Sequence, residues 1–113
     1  MKTKIGIDIV YIPRFKALMQ NKSFINKVFH ASEIQDYRPE HLAGIFAAKE
    51  AFFKSLDKKT LDWLAVEIKN KKNKKPKLLV SSELRNKAKI KDIDLSISHD
   101  KDYAIASVMV LLK

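Results

Sequence analysis

Cysteine is absent from the 113 residues, which excludes disulfide staples, zinc knuckles and thiol catalysis together. Any metal site must therefore use oxygen or imidazole ligands. Long hydrophobic runs are missing as well. No stretch reaches the roughly eighteen apolar residues of a spanning helix, and the N-terminus lacks the basic, apolar, small-residue order of a signal peptide. A soluble, cytoplasmic protein that spans no membrane is the expectation. There is no internal repeat and no linker-like stretch, so residues 1–113 are read as one domain with an adequate but not generous core. Acids are the minority: 13 Asp and Glu stand against 23 Lys and Arg, for a formal charge of +10. That balance implies an acidic partner, which could be nucleic acid, a phosphate-rich small molecule, an acidic protein or a membrane surface. Charge alone does not choose among them.

What is present begins with a strand. Over residues 4–12, Ile5, Ile7 and Ile9 alternate with Gly6, Asp8 and Val10, the period of two that sends successive side chains to opposite faces. Asp8 thus points away from the isoleucines. Pro13 then suits the first turn of a helix, "PRFKALMQ". A second short helix is expected over Lys22 to Phe29, and Ser32 reads as the N-cap of "EIQDY". The strongest helical pattern runs from Pro39 to Leu56, where Leu42, Phe46, Phe53 and Leu56 recur at helical spacing. Its small residues, Ala43, Gly44, Ala47, Ala48 and Ala51, would let a second backbone come close.

After Leu61 the texture turns β-like: "LAVEI", "KLLVS", "IDLSIS" and "YAIASVMVLL". "SELRNKAKI" reads as a brief helix capped by Ser81 or Ser82. The lysine run from Lys69 to Lys77 reads as a solvated hairpin tip or as an electrostatic funnel for a phosphorylated ligand. The last strand is apolar on both faces, with Tyr103, Ile105, Met109 and Leu111 on one and Ala104, Ala106, Val108, Val110 and Leu112 on the other. Its second face is covered either by another subunit or by burial between sheet and helix. An α+β domain accounts for the whole order of elements.

Three residues could form a reactive centre. Asp8 by itself is a capping or ion-paired carboxylate, and Glu50 with Lys54 is by itself an ordinary helix pair four residues apart. If Asp8 and Glu50 converge, however, their repulsion demands a proton or a cation between them. Magnesium suits that arrangement, because it accepts one or two carboxylates, keeps several waters and completes its shell with substrate phosphates. Lys54, one turn on, could then neutralise phosphate oxygens, which outlines a phosphoryl-transfer site. His99, after the serines of "LSISHD", is a weaker candidate. The competing class is a non-enzymatic RNA-binding module, suggested by the charge and the lysine hairpin. Such readers usually display aromatics on an exposed sheet face, whereas here most aromatics fall at helical spacing.

"GIDIVYIPRF", "LAGIFAAKEAFFKSL" and "SISHDKDYAIASV", in this order, resemble the three motifs of the holo-(acyl-carrier-protein) synthase family, the small 4'-phosphopantetheinyl transferases. The resemblance covers nearly the whole chain. It implies an antiparallel sheet packed on one long helix, a homotrimer with sites at its interfaces, and a role in fatty acid biosynthesis with no nucleic-acid partner. The implied reaction moves the 4'-phosphopantetheine arm of coenzyme A onto a serine of apo acyl carrier protein and releases adenosine 3',5'-bisphosphate. Carried over by position, Asp8 and Glu50 would hold Mg2+, Lys54 would balance charge on coenzyme A, and Glu50 is the candidate for deprotonating the serine. His99 would contact coenzyme A from the adjacent subunit, and Lys75 and Pro76 match a Lys-Pro step beside its adenine. Arg14 would dock the carrier protein's acidic helix, with Lys16 added on grounds of charge. The chain departs from the family pattern at Tyr11 (usually an acid), Ile45 (usually an arginine), Lys74 (usually a glycine) and "SLDKK", which lacks the usual glycine.

Overall fold

A computed structural model of the chain describes residues 1–57, 62–71 and 73–113. Lys58 and Lys59 of "SLDKK", and Lys72 of the lysine run, lie outside the described residues. The chain opens with β1 (Lys2–Tyr11), α1 (Ile12–Leu18) and α2 (Lys22–Val28), followed by a 3-10 turn at Glu33–Gln35 and the long α3 (Pro39–Ser55). A second 3-10 turn at Trp63–Ala65 leads into β2 (Val66–Lys69) and β3 (Lys77–Val80). Then come α4 (Ser82–Lys87), β4 (Ile90–Asp100) and β5 (Tyr103–Leu112).

Local chemistry sets most of these boundaries. Pro13 and Pro39 occupy the first turns of α1 and α3, where a missing N–H costs nothing. The Asn21 side chain accepts the Phe24 N–H at 3.1 Å to start α2, and Ser81 accepts the Leu84 N–H at 3.3 Å to start α4. Two details differ from the sequence expectation. Ser32 does not cap its turn; its hydroxyl goes instead to Glu67 on β2. "LAVEI" is not one strand, because Asp62 accepts the Leu64 N–H and winds Trp63–Ala65 into a 3-10 turn before β2.

The main sheet is antiparallel in the order β1-β5-β4, and β2 and β3 form a separate two-stranded hairpin. α3 packs against one face of the main sheet. Gly6 of β1 makes that approach possible: a Cβ there would lie 1.8 Å from the Ala51 carbonyl oxygen. Ala47, Ala48 and Ala51 are fully buried along the contact. On its other side α3 meets an aromatic cluster in which Phe46 stacks on Trp63 with centroids 5.1 Å apart and tilts against Phe15 at 5.4 Å. Phe24, Phe29 and Phe53 extend the cluster. These rings serve as core, not as an exposed platform for bases.

The far face of the sheet corrects one expectation. β5 is not enclosed between sheet and helix, because only its alanine–valine face is buried. The isoleucine face of β1 is 60–76 % exposed at Ile5, Ile7 and Ile9, and it continues onto Met109 and Tyr103 of β5. Among the described residues no helix is long and apolar enough to cross a membrane.

Candidate active site

Strand alternation and the close approach at Gly6 together aim Asp8 at α3. Its carboxylate is nearly buried and accepts a hydrogen bond from the Lys54 ammonium at 2.8 Å. Lys54 also reaches the Ile7 carbonyl at 3.3 Å. The helix pair expected between Glu50 and Lys54 is thus replaced by a pair that bridges helix and strand. Glu50, one turn earlier on α3, shares with Asp8 a cavity of about 200 Å³ that Arg14 and Tyr11 also line. Burial pushes the Glu50 carboxyl above its ordinary value, the negative charge of Asp8 pushes it further, and Lys54 partly opposes both. The hydrogen bond that Lys54 donates to Asp8 raises Lys54 above the ordinary lysine value.

Asp8 and Glu50 present two carboxylates to one cavity, and together they could hold a cation. No third metal-ligating side chain joins them among the described residues. An ion held here would complete its shell from water and substrate, which fits magnesium and argues against a closed, all-protein metal cage.

Except for Arg14, the remaining predicted residues stand elsewhere. His99, at the far end of β4, donates its Nε2–H to the Glu40 carbonyl at 2.8 Å, since a carbonyl oxygen can only accept. Its ring packs over Gly44. With Pro76, His41, Ile45 and Asn70 it lines a second cavity of about 200 Å³. Gly44 and Glu50 are six residues apart, about 9 Å along the helix axis, so His99 and the carboxylate pair belong to different ends of α3. Lys75 sits at the hairpin, paired with Asp94 at 2.8 Å on the surface. Arg14 stands at the mouth of the carboxylate cavity with its guanidinium 5.6 Å from the Tyr11 ring centroid, whereas Lys16 is exposed on α1 and lines neither cavity. Ile45 is buried between the His99 cavity and a larger one of about 630 Å³ bordered by Arg38, His41, Lys69 and Lys71.

Sequence reasoning missed the most buried charges. Lys49 is 0 % exposed and bonds Glu33, 2 % exposed, at 2.8 Å. Removing one partner of such a pair costs about 3–5 kcal/mol, because the other charge is stranded. The available signal was a lysine at helical spacing within the apolar stripe Leu42, Ile45, Phe52, a position that solvent does not reach.

A model of the 4'-phosphopantetheinyl transferase superfamily matches residues 4–108. The holo-[acyl-carrier-protein] synthase of Ehrlichia canis is 37 % identical over 119 residues, covering 94 % of this chain and 91 % of that protein. That of Wolbachia pipientis is 38 % identical over 117 residues, with the same coverage of 94 % and 91 %. Among solved structures, Helicobacter pylori holo-[acyl-carrier-protein] synthase in complex with coenzyme A superposes with a TM-score of 0.87 at 33 % identity, covering 95 % of this chain and 99 % of that one. The chain therefore belongs to the holo-[acyl-carrier-protein] synthase family of 4'-phosphopantetheinyl transferases.

Proposed function

We propose that the chain transfers the 4'-phosphopantetheine arm of coenzyme A to a serine hydroxyl of apo acyl carrier protein in a magnesium-dependent reaction serving fatty acid biosynthesis in the cytoplasm. The observation that carries this reading is the convergence of Asp8 and Glu50 beside the Lys54 ammonium. In the reaction the serine oxygen bonds to the phosphorus that bears the pantetheine arm. The bond from that phosphorus to the bridging oxygen breaks, and its electron pair leaves on adenosine 3',5'-bisphosphate.

Asp8 and Glu50 would hold the magnesium ion, which when bound supplies charge neutralisation on the pyrophosphate oxygens. Glu50 accepts the serine proton; a carboxyl raised above its ordinary value is better matched to that task near neutral pH. Lys54, whose side chain is 56 % exposed, can turn from Asp8 to a phosphate oxygen. Little covalent work is asked of the protein, so positioning and charge neutralisation are most of the catalysis. Arg14 and Lys16 present positive charge on α1 to an acidic helix of the carrier protein. His99, Lys75 and Pro76 take the adenosine end of coenzyme A, and the rim with Arg38, Lys69 and Lys71 offers cations near Ile45, where the family usually has an arginine. Because His99 and the carboxylate pair lie at different ends of α3, the site is completed between copies in a homotrimer. The exposed isoleucine face supports that assembly, since it is an apolar surface with nothing over it in one chain.

The test is intact mass of apo acyl carrier protein after incubation with this protein, coenzyme A and magnesium. A gain of about 340 Da, lost with chelator, is expected from metal-assisted transfer of the arm. Asp8→Ala and Glu50→Ala should abolish the gain while remaining folded, and near wild-type transfer in either overturns the site.

A further inference from the structure

We infer that the buried Lys49–Glu33 pair is a positioning element: it sets where the β2–β3 hairpin, and with it the nucleotide end of the coenzyme site, stands relative to α3 and the main sheet. This rests on the transferase reading above.

All three donors of the Lys49 ammonium are engaged. They reach the Val28 carbonyl at 2.6 Å, Glu33 Oε1 at 2.8 Å and, more weakly, the Trp63 carbonyl at 3.5 Å. Glu33 in turn accepts the His30 N–H at Oε1 and the Ile68 N–H at Oε2, each at 2.8 Å. One ion pair thus joins the end of α2, the turn after it, the entry to β2 and β2 itself to the middle of α3. The cost of burying both charges is offset only by geometry this complete. Burial pulls Lys49 below the ordinary lysine value, and Glu33 opposes that pull.

Beyond the apolar packing of Val66, Ile68 and Leu78 into the core, the hairpin has few other ties. β2 and β3 share no ladder with β1, β5 and β4, so no strand pairing fixes their place. The Lys75–Asp94 bridge between hairpin and sheet is exposed at both ends, 58 % and 62 %, and exposed pairs hold geometry weakly. The Ile68 N–H to Glu33 bond is buried and sits at the root of the arm that carries Asn70, Lys75 and Pro76. α3 does not depend on it in the same way, because the close approach at Gly6 and the buried Ala47, Ala48 and Ala51 seat that helix on the sheet. The hairpin is placed relative to the sheet whether it completes its own chain's site or a neighbour's. Loss of the pair should therefore weaken nucleotide binding and spare the chemical step.

The experiment uses the full-length double variant Glu33→Gln/Lys49→Met, which buries no charge and keeps similar volumes. Binding of adenosine 3',5'-bisphosphate is measured by calorimetry, and steady-state kinetics by carrier-protein mass. The expected result is a rise of about tenfold or more in Kd for the bisphosphate and in KM for coenzyme A. The kcat at saturating coenzyme A should stay within about threefold, and KM for the carrier protein within about twofold. A variant folded by circular dichroism whose bisphosphate affinity and coenzyme A KM stay within about twofold of wild type overturns the inference and leaves the pair a purely structural device. A proportionate fall in kcat with KM unchanged overturns it equally. If the double variant does not fold, Glu33→Asp, which keeps both charges but shortens the reach to the Ile68 N–H, goes through the same measurements, with the same outcomes deciding. Wild-type protein that binds the bisphosphate but transfers nothing would sink the transferase reading and not this one, since the calorimetric arm still reports on the joint.

Discussion

Glu50 shows function set against stability within one side chain. Its folded-state value lies above the ordinary 4.5, first through burial and then through Asp8. Between the ordinary value and the raised one, the folded chain binds more protons than the unfolded chain, so stability falls as pH rises through that window. The penalty then persists at pH 7 unless a cation takes the place of the proton. Glu50→Gln should accordingly melt higher than wild type at pH 7 without metal, the difference closing as the pH falls below about 4.5. Added magnesium should raise the melting temperature of wild type and leave that of the variant unmoved, while transfer is lost. Thermal melts across pH, with and without the ion, check all three; a variant that melts lower than wild type at pH 7 contradicts the account.

Among the elements, the contact of β1 with α3 decides whether the carboxylates meet at all. Gly6 lies where a Cβ would overlap the Ala51 carbonyl oxygen at 1.8 Å, and backbone cannot give way as the end of a side chain can. Gly6→Ala must push α3 off the strand that carries Asp8 two residues later. We expect a loss of about 3 kcal/mol in denaturant unfolding, with activity falling further than stability because Asp8 and Glu50 separate. A variant with wild-type stability would mean that the helix slides freely on the sheet. The aromatic cluster acts from the opposite side of α3, where Phe15 and Trp63 pack on Phe46 and press the helix onto the strands. Helix packing on both flanks explains why α3 buries charge at Lys49 as well as apolar side chains.

For the whole molecule, the ribbon of Ile5, Ile7, Ile9, Met109 and Tyr103 is too apolar and too continuous to be an ordinary wet sheet face. Its partner on the trimer reading is a second copy of the same chain. Ile7→Asp places a charge at the middle of that ribbon, where Ile7 is 64 % exposed and opposes Ser107, so the fold of one chain should survive. Sedimentation velocity should then show the variant as a monomer with wild-type circular dichroism, and the mass assay should show transfer lost, because sites completed between copies come apart. A monomeric variant with full activity would place the entire site within one chain.

Much of this was legible locally. Strand geometry has a period of two whatever surrounds it, so alternation alone put Asp8 opposite the isoleucines, and the three ordered motifs carried the family. Caps and prolines marked helix starts for the same local reason. The sequence could not say which face of β1 would be covered, since burial belongs to whatever packs there, and the apolar isoleucine face turned out to be the open one. Nor could it pair Lys54 with Asp8, 46 positions away, in preference to Glu50 at four, or bring Glu33 onto Lys49 across 16. Those contacts arise only when turns and strands close over α3. The tertiary structure also separated the candidate residues, leaving His99 and Pro76 at one end of the helix and the carboxylates at the other. By itself the sequence determined which chemical groups the chain brings and the local period on which they repeat. Only packing decided which of them meet, because convergence of charges far apart in sequence depends on the close approach of backbones at Gly6 and on the burial that follows from it.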